Sequence, residues 1–162
     1  MATWSQIAES EPAFAKAVQA IFDAHKHKTL ATLRTDGSPR ISGIEATFAD
    51  GELWLGMMPD SRKALDLRRD PRLALHSASV APPEGEESAW SGDAKLSGRA
   101  VEVVDEAERD AWLRANGAPP GPSHVFSVDI AEVTLTRVGE PADHLLIEFW
   151  REGEGLRSTK RT

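Results

Sequence analysis

The chain begins with a helical spacing of hydrophobic residues and then changes to the alternating pattern of β-strands. Over residues 10–27 the apolar side chains recur every three or four positions, which predicts an amphipathic helix. Ser10 is placed to cap this helix, and Pro12 falls in its first turn. Three alternating segments joined by turn residues follow at 29–34, 40–49 and 52–58, and they predict consecutive antiparallel strands.

The rest of the chain repeats this mixture of short helices and strands. We predict a helix at 61–69, strands at 72–79 and 94–104, a helix at 105–117, and strands at 124–138 and 144–150. Six or more short strands with two or three helices in 162 residues favour one mainly β domain. The predicted architecture is a small antiparallel barrel with helices packed outside it.

Three segments fall outside these elements. Residues 1–10 are expected to form an N-terminal arm, and residues 151–162 a basic C-terminal tail. Residues 80–93 are rich in Pro, Gly and Glu without any period, which predicts a loop and makes it a candidate lid over a binding site.

Composition and charge exclude several classes of function. The chain has no cysteine, so disulfides, thiolate metal sites and a cysteine nucleophile are excluded. Its formal net charge of -7 argues against a broad basic face, so we expect no nucleic-acid partner. No apolar run approaches the ~18 residues of a membrane span, and the first residues lack a signal-peptide pattern. We therefore expect a soluble, cytoplasmic protein that makes no membrane contact.

The helix at 61–69 begins with an arrangement that local electrostatics disfavours. Arg62 and Lys63 lie in its first turn, where the helix dipole makes each cation unfavourable by about 0.3–1 kcal/mol. A bound anion would reverse this, because free backbone amides, the Ser61 hydroxyl and the two cations together would form a phosphate site. Two solvated surface cations are the alternative, and the spacing alone leaves both interpretations open.

The strand at 40–49 contains a break in its alternation. Ile44 and the apolar residues after it share one face, whereas Ile41 falls on the other, which predicts a bulge or a close approach at Ser42 and Gly43. Glycine there would let a flat ligand approach the backbone, with Ser42 hydrogen-bonded to its edge. A bend that any small barrel requires explains the pattern equally well.

The remaining candidates carry less chemistry. Met57 and Met58 end the next strand and either line the same site or fill the core. The five histidines are scattered without metal-ligand spacing, so no metal is expected. No nucleophile motif or phosphate-binding glycine loop occurs. Catalytic side chains therefore stay unassigned, and a bound redox cofactor is the chemistry that requires none of them.

Four segments in order along the chain resemble the pyridoxamine 5'-phosphate oxidase-like, flavin-binding split-barrel family: TLATLRTDGSPRISGI, ADGELWLGM, SRKALDLRRDPRLAL and KLSGRAVEV. The similarity extends over residues 14–157, and its most specific element is the SRK helix followed by the DPRLAL strand. The resemblance implies a six-stranded antiparallel split β-barrel that forms a homodimer, with FMN in a groove between the subunits.

The resemblance also implies a set of cofactor-binding residues. Arg62 and Lys63 would hold the cofactor phosphate, with Ser61 nearby. The other implied contacts are Ser42, Gly43 and Ile44 along the ring, Met57 and Met58 beside it, and Trp150 and Arg157 of the tail on the partner's flavin.

The chain departs from the oxidases proper at several of these positions. Ser42 stands where they have Arg, Met57 and Met58 replace a Thr-Asn pair, and the tail lacks their His. It is more similar to the short relatives that bind FMN, the 8-hydroxy-5-deazaflavin coenzyme or haem. The resemblance thus implies hydride transfer between a bound flavin or deazaflavin and a small conjugated molecule. The alternative is a non-catalytic FMN- or haem-binding carrier or sensor.

Overall fold

Eight strands and four α-helices follow one another in the computed structural model, which describes residues 1–162. The helices are α1 (Trp4–Ser10), α2 (Pro12–Asp23), α3 (Arg62–Arg69) and α4 (Glu106–Ala115), with a short 3-10 helix at Glu87–Ala89. The strands are β1 (His27–Leu33), β2 (Pro39–Ala49), β3 (Glu52–Met57), β4 (Arg72–His76), β5 (Asp93–Glu102), β6 (His124–Val138), β7 (Leu145–Arg151) and β8 (Gly155–Arg161). None of the helices combines the length and the apolar character needed to cross a membrane.

The first six strands close into an antiparallel barrel. Their order is β3-β2-β1-β4-β5-β6, and β3 pairs again with β6, from Trp54 opposite Ser127 to Met57 opposite His124. Residues 46–49 of β2 pair with β3, whereas residues 39–45 pair only with β1 and leave their other edge unpaired. The prediction of a mainly β, six-stranded antiparallel barrel with flanking helices is therefore confirmed.

Beyond the barrel, the long strand β6 carries a hairpin of two further strands. Its C-terminal half pairs with β7, and β7 pairs along its whole length with β8. Most of the segment 151–162, expected to be a tail, thus belongs to a strand. Its sequence, GLRSTKR, conceals this, because an edge strand that is largely exposed needs no alternation of apolar and polar residues.

Residues 1–10, expected to be an arm, contain the short helix α1. Thr3 and Gln6 build a capping box at its start. Ser10 ends this helix, with its hydroxyl donating to the carbonyl of Ile7, so Glu11 and not Ser10 precedes α2 as its N-cap. The seven residues of α1 span too few turns to show a helical period in the sequence.

Helix α2 packs one apolar face against the barrel. Phe14, Val18 and Phe22 are buried at the spacing expected for one helix face. Phe48 of β2 meets Phe22 and Trp4, with ring centroids 5.7 and 4.6 Å apart respectively. Burial of side chains of this size stabilises the fold by about 1.5–3 kcal/mol each. The same core is continued inside the barrel by Leu30, Leu53, Leu55, Leu75, Leu96, Ile130 and Leu135.

A buried carboxylate attaches α3 to the barrel. Asp66 is only 4% exposed, and it accepts hydrogen bonds from Thr32 Oγ1 at 2.9 Å and Arg40 Nε at 2.6 Å. Arg69, one helical turn later, donates to the same carboxylate at 3.3 Å and to the carbonyl of Leu33. One side chain of α3 is thus joined to both β1 and β2.

These hydrogen bonds decide the protonation state of Asp66. Burial by itself raises the pKa of a carboxyl group, but the bonds from Arg40, Thr32 and Arg69 outweigh this effect. The pKa of Asp66 is therefore lowered from its ordinary value of 3.8. The carboxylate is charged at neutral pH, as its contacts with two arginines require.

We expect Asp66→Asn to lower the free energy of unfolding at pH 7 by about 2–4 kcal/mol, because it leaves Arg40 without its charged partner. Urea denaturation followed by circular dichroism measures this, with Glu84→Gln in the exposed loop as the control. Folding lowers the pKa of Asp66 below its ordinary value of 3.8. The stabilisation that the ionised carboxylate gives the fold is therefore complete above pH 3.8 and is lost as the pH falls through the lower pKa of the folded protein. The difference between the proteins should shrink there, and equal stabilities at pH 7 would contradict the assignment.

Candidate functional site

A cavity of about 410 Å³ lies between β2, β3, the start of α3 and α4. Its volume is within the range of small-molecule and cofactor sites. The residues that line it are His27, Gly43, Ile44, Glu45, Thr47, Gly56, Met57, Met58, Lys63, Trp112, Leu113, Asn116, Ala118 and Ser123.

A direct contact joins the two regions that the sequence indicated separately. Lys63 Nζ donates a hydrogen bond to the backbone carbonyl of Gly43 at 2.5 Å. A Cβ atom added to Gly43 would meet no other atom within 4 Å, so the backbone of β2 is open to a ligand there. The start of α3 and the exposed part of β2 therefore form one site.

Three adjacent residues at the start of α3 have unused capacity to bind an anion. The Lys63 ammonium group donates one hydrogen bond to Gly43 and has two further N–H groups free. Burial lowers the pKa of its amine. The Ser61 hydroxyl oxygen is buried without a hydrogen-bond partner, which costs about 1–3 kcal/mol unless a ligand satisfies it. The Arg62 side chain is exposed and forms no hydrogen bond or ion pair within the chain.

The bulge expected at Ser42 and Gly43 is absent. Strands β1 and β2 pair residue for residue along the whole of β1. Ile41 is 75% exposed on the outer face, so the slip in alternation comes from an apolar residue that is not in the core. The register shift of the barrel lies instead between β5 and β6, at Gly98.

Five of the predicted site residues line the cavity and five do not. Those that line it are Gly43, Ile44, Met57, Met58 and Lys63. Ser42 and Arg62 are direct neighbours of lining residues in the chain, and Ser61 comes two residues before Lys63. Trp150 and Arg157 lie apart in the β7–β8 hairpin.

The hairpin residues have different surroundings from each other. Trp150 is 7% exposed and belongs to the hydrophobic core, opposite Leu156 of β8. Arg157 is exposed, and its guanidinium lies 3.3 Å from Glu154. Core packing covers the Trp150 ring, so only Arg157 of this pair presents its side chain to another molecule.

Helix α4 supplies a wall of the cavity that the sequence analysis missed. Trp112, Leu113 and Asn116 all line it. A Cβ atom added to Gly56 would lie 3.0 Å from the Trp112 ring, so the absence of a side chain on β3 lets that ring approach. A glycine within an apolar strand is the sequence feature that indicates such a close approach.

A titratable pair also lines the cavity and was missed. His27 Nε2 lies 3.9 Å from Glu45 Oε1, and both side chains are more than half exposed. Glu45 shares the outer face of β2 with Gly43, so strand alternation would have found it, whereas nothing in the sequence singles out His27. The candidate lid, residues 80–93, supplies no lining residue.

The arrangement suits a flat aromatic ligand that carries an anionic group. Apolar and aromatic side chains from β3 and α4 provide the walls, and the Gly43 backbone provides hydrogen-bonding groups without a side chain above them. Cations and an unpartnered hydroxyl lie at the start of α3. The site thus separates an apolar region from a cationic one.

One family model matches this chain, and several solved structures share its fold. The family model described as pyridoxamine 5'-phosphate oxidase matches residues 14–137. No curated protein matches the sequence.

The solved structures share the fold at low sequence identity. PhzG from Burkholderia lata 383, solved with tetrahydrophenazine-1-carboxylic acid, is 17% identical, with a TM-score of 0.64 over 97% of this chain and 92% of that one. A pyridoxamine 5'-phosphate oxidase-related, FMN binding protein from Nostoc punctiforme PCC 73102 is 14% identical, with a TM-score of 0.64 over 100% and 98% of the chains. An F420 reductase is 14% identical, with a TM-score of 0.54 over 71% of this chain and 94% of that one.

Proposed function

This chain belongs to the pyridoxamine 5'-phosphate oxidase family, and from that premise we propose that it is a homodimeric oxidoreductase that binds FMN or the 8-hydroxy-5-deazaflavin coenzyme. The proposed reaction is hydride transfer between the coenzyme and a small conjugated molecule. The observation that carries the proposal is the bond from Lys63 to Gly43, because it sets the cationic helix start against open strand backbone. An FMN binding protein and an F420 reductase among the structural neighbours support either coenzyme.

The residues of the site fit the two ends of such a coenzyme. Arg62, the two free donors of Lys63 and the unpartnered Ser61 hydroxyl would hold the phosphate. The ring would lie along the Gly43 backbone, with the Trp112 side chain as one of the apolar walls.

The chain's own residues bind and orient the reactants. The reduced coenzyme, when bound, supplies a hydride, and the conjugated acceptor also takes up a proton. Holding the acceptor in the cavity beside the ring supplies the proximity that the reaction needs. His27, paired with Glu45 on the cavity wall, is a titratable group from which the acceptor would receive its proton.

An exposed groove on the outer face of the barrel supports the homodimer. Ile41 lines a second cavity of about 540 Å³, which is formed by residues from β1, β2, β4, β5 and β6 and their flanks. Ile41 is a large apolar side chain that is 75% exposed, which is typical of a residue at a protein–protein contact. A second copy of the chain is the proposed occupant, because the family resemblance implies a dimer.

Arg62→Ala and Lys63→Met should each weaken FMN binding by about 1.5–3 kcal/mol, because each removes a charged hydrogen bond to the phosphate. Binding of riboflavin, which has no phosphate, should change by less than about twofold. Fluorescence titration of the desalted protein measures both, with Arg99→Ala on β5 as the control and the deazaflavin coenzyme titrated in parallel. Equal losses for riboflavin would contradict the phosphate assignment, and binding of neither coenzyme would contradict the proposed function.

Turnover is expected when the protein holding a reduced coenzyme is mixed anaerobically with conjugated acceptors such as enones or quinones. For a true substrate, stopped-flow absorbance should show reoxidation at least about tenfold faster than for the free coenzyme, because the cavity aligns the reactants. With the deazaflavin coenzyme deuterated at the carbon that donates the hydride, an enone product should carry the label on carbon. Reoxidation no faster than in solution for every acceptor would favour the non-catalytic carrier or sensor.

The wild-type protein should sediment at twice the chain mass of 17.6 kDa. Ile41→Glu should raise the dimer dissociation constant by at least about tenfold, because it places an unpaired charge in the contact. Analytical ultracentrifugation over a concentration series tests this, with Val104→Glu as the control, since Val104 is 81% exposed and does not line the groove. A monomeric wild-type protein would refute the dimer, and an unaffected Ile41→Glu dimer would refute this interface.

A further inference from the structure

His124 lies behind the turn that leads into α3, outside the cavity lining. It is the first residue of β6, opposite Met57 of β3. Its side chain is 11% exposed, and its ring stacks on Phe126 with centroids 6.3 Å apart. Neither the core nor the coenzyme contacts described above account for a largely covered imidazole here.

Two hydrogen bonds define the protonation state of His124. Its Nε2 accepts from the backbone N–H of Asp60 at 3.3 Å, and its Nδ1 lies 2.9 Å from Glu102 Oε1. A ring nitrogen that accepts a hydrogen bond carries no proton, so the ring is neutral and its proton is on Nδ1, donated to Glu102. The other oxygen of Glu102 pairs with Arg68 Nε of α3 at 3.1 Å.

The Asp60 amide belongs to a four-residue turn, Met58 to Ser61, in which Pro59 takes the position where proline is favoured. Asp60 has φ +54°, in the left-handed region that few residues other than glycine adopt. The N–H of Ser61 closes this turn on the carbonyl of Met58 at 3.2 Å. Residues 61–63, which begin at this turn, are the three assigned to phosphate binding, and the bond to His124 ties the turn to β6 in addition to its own closing bond.

We propose that His124 is a positioning residue for the coenzyme phosphate, which its neutral form secures by holding the Asp60 amide. Protonation of Nε2 replaces the acceptor with a donor, ends this bond and releases the turn. Glu102 from β5 faces the ring, and its other oxygen is paired with Arg68 of α3, so the added positive charge meets a carboxylate but does not replace the lost bond. The phosphate role rests on the proposed function, whereas the link between His124 and the turn does not.

The link can be tested without any ligand. Long-range ¹H–¹⁵N spectra of the labelled protein at pH 8 should show the His124 proton on Nδ1. Between pH 8 and 5.5, the range in which histidines ordinarily change charge, the Asp60 and Ser61 amide resonances should shift with the same midpoint as the His124 ring. In His124→Gln these amide shifts should be absent. A proton on Nε2 at pH 8 would overturn the proposal. Asp60 and Ser61 amide shifts that do not follow the protonation of His124 would also overturn it.

The consequence for binding is measured by FMN titrations at pH 8 and 5.5, with the deazaflavin coenzyme used if that is the one bound. The wild type should lose about 3- to 10-fold more affinity between these pH values than His124→Gln, whose amide oxygen accepts a hydrogen bond at both. His124→Phe should be weaker by a similar factor at both pH values, and thermal melting establishes that it is folded. His144→Gln, which removes another carboxylate-paired histidine, should behave as the wild type.

Each outcome bears on one of the two claims. Titration of the phosphate itself affects every variant equally, so only the difference between proteins reports on His124. The same pH dependence in the wild type and His124→Gln would overturn the positioning role. A wild type that binds neither coenzyme at pH 8 would overturn the proposed function and leave the ligand-free spectra to decide the link with the turn.

Discussion

The buried carboxylate of Asp66 is the constraint on which the geometry of the site depends. A charge that is 4% exposed is costly unless it is paired, so α3 must lie where Thr32, Arg40 and Arg69 reach it. Those partners belong to β1, to β2 and to α3 itself, which leaves the helix little freedom to slide along the barrel. One turn before Asp66, the position of Lys63 against β2 follows from this attachment.

The start of the same helix is locally unfavourable, and the rest of the fold compensates for it. Two cations lie at the positive end of the helix dipole, and the Ser61 hydroxyl is buried without a partner. The Asp66 contacts hold one end of α3, while Arg68 binds Glu102, which in turn contacts His124. The contacts that stabilise α3 are thus made by Asp66, Arg68 and Arg69, whereas the groups left free to bind a ligand lie at its first residues. Local preferences are expected to be broken in this way at functional sites.

Local patterns predicted the elements, whereas the contacts that make the site are not local. The period of the hydrophobic residues was sufficient to predict α2 and the barrel strands. It did not predict β8, because an exposed edge strand needs no alternation of apolar and polar residues. The unfavourable position of Lys63 at the start of α3 singled out one part of the candidate site, but its partner Gly43 lies twenty residues earlier in the chain. Trp112 lines the site because its ring packs on Gly56. This contact depends on how α4 lies against β3, which no local pattern in the sequence reveals.

The cavity also shows where selectivity between ligands must arise. Its lining contains one lysine, at the start of α3, and the walls contributed by Met57, Leu113 and Trp112 are apolar. In the proposed binding mode, charged hydrogen bonds at the start of α3 would contribute affinity to any ligand that carries a phosphate, so they would not distinguish one ring from another. Discrimination would then depend on the fit of the ring against the β2 backbone and α4. Helix α4 lies outside the barrel and supplies none of the partners of Asp66, so this wall can vary without disturbing the attachment of α3.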